Sequence, residues 1–227
     1  MNIKKYYFII LVIIFYSCDF DIGSRNIKEG IIEYDITYFE DEKDNPIISL
    51  LPNSMTLKFK DNNTVSEIVG WMGIFSSCLI MNNKDSISST MLKIMNKKYF
   101  CQTHFNEPSI YSASYEGMKI VFVDETKEIA GYKCKKAIVS FPDTSKSTFE
   151  IYYTDEIKID DLYLGSPYKS INGVLIEFQM ELNNICMKLT LNNITNDEVS
   201  DDEFLIPDDY ERVATDSLEK IFHNLIL

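Results

Sequence analysis

Val174-Leu175-Ile176-Glu177-Phe178-Gln179-Met180-Glu181-Leu182-Asn183-Asn184-Ile185-Cys186-Met187-Lys188-Leu189-Thr190-Leu191 reads as a β-hairpin. Val174, Ile176, Phe178 and Met180 alternate with their neighbours, and Ile185, Met187, Leu189 and Leu191 do the same after Asn183-Asn184. A period of two puts each set on one face of a strand, and the asparagine pair between them is a turn signal.

The same grammar extends outward along the chain. Ile32, Tyr34, Ile36 and Tyr38 alternate with Glu33, Asp35 and Thr37 until the acidic stretch from Glu40 to Asn45 and Pro46. Met55, Leu57 and Phe59 alternate with Thr56, Lys58 and Lys60, and Asp61-Asn62-Asn63 turns the chain into a strand from Thr64 to Val69. Further strands are expected at Ser77 to Met81, Ser88 to Met95, Tyr99 to Thr103, Met118 to Val123, Tyr132 to Phe141 and Ser147 to Tyr153. About ten antiparallel strands with one apolar face predict a mainly β fold, a curved sheet large enough to form a half-barrel. Near the C-terminus the period changes. Leu218, Ile221, Phe222 and Leu225 fall at helical spacing, and Asp216 with Glu219 matches a capping box. An amphipathic helix closing the half-barrel is expected.

The N-terminus carries an address. Lys4 and Lys5 precede an apolar run from Tyr6 to Tyr16, and Ser17 stands directly before Cys18. That is the layout of a bacterial secretory signal ending in a lipoprotein cleavage site. The run is about half the ~20 residues that a spanning helix requires. The expected organisation is a signal peptide over 1–17, a lipid-anchored tether over 18–29 and one domain over 30–227. Plain secretion and an uncleaved anchor are the alternatives. Acylated Cys18 would attach the protein to the cell envelope, most simply at the outer membrane, with either face open.

Composition narrows the partners. The chain has 35 acidic against 22 basic residues, a net charge of −13, which argues against nucleic acid because phosphate backbones would repel it. The 45% apolar and 13% aromatic content is enough to build a core. Beyond Cys18 stand Cys78, Cys101, Cys134 and Cys186, which permit two disulfides in three connectivities or four buried thiols. No C-x-x-C spacing points to zinc, and neither metal nor cofactor is expected.

No catalytic motif emerges. His223 lies on the terminal helix, and His104 is an odd step from Cys101, so the two would sit on opposite strand faces. Nucleophile elbows, metalloprotease motifs and phosphate-cradling glycine loops are all missing, so a non-enzyme is expected. The one conspicuous connection is Gly70-Trp71-Met72-Gly73-Ile74-Phe75, apolar where turns are usually polar. It is read either as a contact for a ligand or membrane, through Trp71, Met72, Ile74 and Phe75, or as a loop tucked into the core.

Three stretches also carry a resemblance: Ile129 to Ala137 with Ile151 to Ile157, Ile171 to Phe178, and Phe204 to Tyr210. Together they resemble uncharacterised Gram-negative lipoproteins similar to the LolA/LolB lipoprotein carriers and the related GLPGLI family. The resemblance implies a half-barrel around an apolar cavity and a non-enzymatic carrier of an apolar ligand, such as an acyl chain or a lipoprotein. The alternative is a structural or interaction lipoprotein of the envelope whose core is filled by its own side chains.

Overall fold

The structure is a computed structural model that describes residues 25–70, 73–182 and 185–224. It is mainly β: one open sheet of 12 strands, a second sheet of two strands, and one short C-terminal helix. The first half of the large sheet is a meander of β2 (Glu29–Tyr38), β3 (Ser54–Lys60), β4 (Asn63–Gly70), β5 (Phe75–Asn82), β6 (Ile87–Ile94) and β7 (Lys97–His104). The second half contains β8 (Lys119–Ile129), β9 (Tyr132–Ser140), β10 (Phe149–Thr154), β12 (Val174–Leu182) and β13 (Ile185–Thr195). The halves join where β13 pairs antiparallel with β2, setting Leu189 opposite Ile36. β1 (Arg25–Asn26) and β11 (Ile157–Lys158) make the small parallel pair. Residues from Arg25 to Glu29, expected within the tether, are therefore already paired into the fold.

Turn chemistry fixes the register. Asp61 and Asn62 have φ of 47° and 67°, and Ala130 and Gly131 have φ of 53° and 79°. Two consecutive positive φ values give the primed hairpin turn whose twist matches that of its flanking strands. Lys60 accordingly pairs with Asn63, and Ile129 with Tyr132.

The main core spreads over one face of the sheet. Ile32, Tyr34, Leu57, Phe59, Val139, Ile151, Ile176 and Leu189 are buried in it. The alternation read from the hairpin at 174–191 holds, with an addition: Leu175 is buried as well, because the connection between β11 and β12 folds back over that strand. There the Tyr163 hydroxyl accepts a hydrogen bond from the Leu175 N–H at 2.9 Å. This connection, with Tyr163, Tyr168 and Ile171, and the one between β7 and β8, with Ile110 and Tyr111, cover much of the core face. The helix is therefore not the only cover, and the sheet is not a closed barrel.

The C-terminal segment crosses the opposite face as a strap. Lys60 Nζ donates to the Val199 carbonyl at 2.8 Å and pairs with Asp201 at 2.7 Å, and Lys58 pairs with Glu203 at 2.7 Å. Phe204, Ile206 and Tyr210 then pack on a small cluster of Val65, Cys78, Ile80 and Met91, and Lys98 holds Asp209. β14 (Glu211–Arg212) pairs parallel with β7 and carries the chain around that edge. Helix α1 (Thr215–His223) lands on the core face, burying Leu218 and Phe222. The Phe222 ring meets Tyr111 edge-on at 6.3 Å.

The expected capping box does not form. Val213 still donates to the Phe100 carbonyl, so Ala214 is the last extended residue; Ser217 and Leu218 both donate to its carbonyl. The helix thus starts before Asp216. Leu225, expected on the same helix, lies outside the described residues. No disulfide joins Cys78, Cys101, Cys134 and Cys186; all four are free thiols.

Candidate functional site

The sheet has two ends with different chemistry. At one end lie the β4–β5 connection, the β6–β7 turn and the segment between β2 and β3. Five large apolar side chains are exposed there: Phe39, Leu50, Val69, Ile74 and Met95. The Met95 N–H donates to the Ile74 carbonyl at 2.7 Å, which holds two of these turns together.

Of the residues expected in a contact loop, Trp71 and Met72 lie outside the described residues, and so does Cys18. The remaining two separate. Ile74 is 46% exposed, whereas Phe75 begins β5 pointing into the main core at 7%. Phe75 is thus a core residue and not a surface contact, because its pairing with Ile94 fixes it on the inner face. The other rim residues were missed from sequence. Met95 offered a signal: it holds φ at 55°, a left-handed turn position where an apolar side chain is unusual.

The opposite end is polar and open. A cavity of about 750 Å³ is lined by Ile27, Glu29, Tyr132, Glu156 and Ile194, among others. A second, of about 330 Å³, lies against Phe59, Asn62, Thr64 and Asp160. A third cavity of about 360 Å³ opens under the β7–β8 connection, lined by Met81, Ser88, Thr103, His104, Tyr111 and Tyr115 with others. These are surface hollows with mixed walls, unlike the deep apolar site that holds an acyl chain.

The buried tyrosine hydroxyls have structural partners. The Tyr34 hydroxyl donates to the Leu175 carbonyl at 3.0 Å, and the Tyr168 hydroxyl donates to the Gln179 carbonyl. Burial pushes the Tyr111 and Tyr163 phenols up to about 12. Burial likewise pushes the Cys78 thiol up to about 12 and Cys134 up to about 11, the opposite of what an attacking thiolate requires. Cys101 is buried, with its thiol raised by desolvation and partly offset by hydrogen bonds from Thr215 and Thr90; His104 is exposed at the end of β7. Among the described residues no group of three or more His, Cys, Asp and Glu side chains could hold a metal ion. No helix among them is long and apolar enough to cross a membrane.

Comparison with known proteins places the fold. A family model described as the N-terminal domain of the N-glycanase peptide matches residues 79–170. Two crystal forms of PNGF-II are similar to the chain with TM-scores of 0.53 and 0.52, each at 14% identity. They match over 86% and 87% of this chain but only 33% of theirs, so the chain spans about a third of their length. At that identity the likeness is one of fold. None of the curated proteins matches. These findings overturn the LolA/LolB and GLPGLI resemblance: the segment from Ile129 to Ala137 that suggested it lies inside the glycanase-type match. The lipid binding inferred from that resemblance loses its basis with it.

Proposed function

We propose that this protein is a non-enzymatic interaction domain of the cell envelope, tethered through an acyl group on Cys18, with a core filled by its own side chains. The observation that carries the reading is that filling. Tyr34 meets Phe178 edge-on at 5.3 Å, and Tyr168 meets Phe178 at 5.5 Å. Their hydroxyls are taken up by backbone carbonyls, which leaves an acyl chain nothing to displace cheaply. Strands as far apart in the sheet as β7 and β9 contribute Cys101 and Cys134 to one continuous core. This supports a sheet curled into a half-barrel that is packed shut instead of hollow.

Geometry gives the exposed rim a direction. The described chain enters at the polar end, where Ile27 donates to the Lys158 carbonyl before β2 begins. The ten residues of β2 then carry it roughly 30 Å to the apolar rim. The chain between Cys18 and Arg25 reaches at most about 25 Å when fully extended. A domain held by Cys18 therefore turns Leu50, Val69, Ile74 and Met95 away from the anchoring bilayer, toward a partner surface. The glycanase likeness supports a domain of this fold standing beside other functions; it is a likeness of fold over about a third of the length of PNGF-II, and deglycosylation is not carried over from it.

Membrane fractionation tests the anchor. The full chain is expected in the membrane fraction, and Cys18→Ala is expected to be released from it or left as unprocessed precursor. Normal processing with unchanged membrane retention of Cys18→Ala would contradict the reading.

A further inference from the structure

β8 ends the large sheet, pairing with β9 on one side and, among the described residues, with no strand on the other. Its two halves are built differently. From Lys119 to Phe122 it pairs residue for residue with Ser140 to Ala137; then the register slips before Thr126 meets Lys135. The slip is a bulge, and the strand beyond it carries Glu125, Lys127 and Glu128. Bulges and charges are how proteins guard an open edge against pairing. The first half has no bulge, and its one charge is Lys119 at the start. Val121 and Phe122 are 54% and 50% exposed, and Phe122 extends the inner core outward by packing edge-on against Tyr153 at 5.9 Å.

We propose that the half of β8 from Lys119 to Phe122 is a dimer edge whose occupant is the same segment of a second copy. The sequence is complementary to itself when antiparallel. Pairing about Val121 sets Val121 opposite its own copy on the outer face and Ile120 opposite the second copy's Phe122 on the inner face. The same register sets Lys119 opposite Val123 of the other strand and next to Asp124; neither Lys119 nor Asp124 has an ion-pair partner among the described residues, whereas Glu125 is already paired with Lys136 at 3.1 Å. The bulge ends the shared ladder at that point, which limits association to two copies instead of an open stack of sheets. Closed two-fold pairing is the commonest way identical chains assemble.

Cysteine cross-linking and sedimentation test this on the full chain in detergent. At the dyad two residues are ~4.5–5.5 Å apart at Cα, a spacing that a disulfide spans. Under mild oxidation Val121→Cys is expected to give a covalent dimer well above the wild-type background, and Glu128→Cys, beyond the bulge, is not. Wild type is expected to sediment as a dimer with a concentration-dependent melting temperature, and Val121→Lys as a folded monomer whose cooperative melt no longer depends on concentration. A monomeric wild type, or Val121→Cys cross-linking no better than wild type, overturns the proposal. A wild-type dimer that survives Val121→Lys also overturns it, because another surface would then hold the copies together. If Val121→Lys fails to fold, the cross-linking pair decides.

Discussion

Gly173 holds φ at +138°, and a Cβ at that position would come within 2.1 Å of the Thr154 carbonyl oxygen. Both the backbone angle and the close approach exclude a side chain, and the residue sets the entry to β12, whose first three residues are fully buried. Gly173→Ala should therefore lose more than the ~1 kcal/mol that a compatible glycine site would gain on the same change, read from urea unfolding. A variant as stable as wild type would show that this turn is not fixed as described. The thiols make a second prediction at this scale. Cys186 is exposed, while Cys78, Cys101 and Cys134 are buried. Burial first, and then Glu181 and Glu40, raise the Cys186 thiol above its ordinary value. Less thiolate is then present at neutral pH, so alkylation of the native chain should be slow, should quicken above the usual thiol range, and should reach only Cys186 of these four. Mass mapping of labelled peptides checks this; equal labelling of Cys134 would mean the core opens.

Helix α1 and the strap before it are distinct elements with distinct consequences when weakened. Leu218 is fully buried and Phe222 nearly so, whereas Ile221 is only partly covered. Leu218→Ala should cost ~2–5 kcal/mol through lost burial and the cavity left behind, and Ile221→Ala clearly less. Equal losses in thermal melts would place the helix in a different rotation. The strap is held by exposed lysine–carboxylate pairs, each contributing little, and by the contact of Phe204 with the Val65 and Cys78 cluster. Phe204→Ala should loosen the strap locally, making Cys78 alkylatable with a smaller change in melting temperature than Leu218→Ala causes. Protection of Cys78 in that variant would contradict the strap as its cover. Strands such as β2, β3, β12 and β13 were legible in the sequence because they alternate with period two, whereas the two-residue β1, β11 and β14 carry no period to read. The strap was not legible, since Phe204 ends a short 3-10 turn (Asp201–Phe204) and Ile206 follows in an irregular segment, neither with a period. The two connections covering the core face were hidden for the same reason. β8 was read only as far as Val123, because beyond the bulge its exposed charged residues no longer alternate.

Across the whole molecule, an entry at the polar end, a filled core and an apolar rim at the far end combine into one reading: a tethered domain that presents a surface. Sequence left the Gly70 to Phe75 loop as either a contact or core, and the structure exposes Ile74 while burying Phe75. Only pairing with β6 shows which of two adjacent apolar residues turns inward. The rim itself gathers residues distant in the chain, from Phe39 to Met95, so no local motif could announce it. Native mass spectrometry of the full protein extracted from membranes tests the central claim most directly. The account predicts a mass equal to the chain from Cys18 onward plus covalently attached acyl groups, with no further lipid carried non-covalently. A stoichiometric non-covalent lipid, or an intact N-terminus lacking acyl groups, would contradict it.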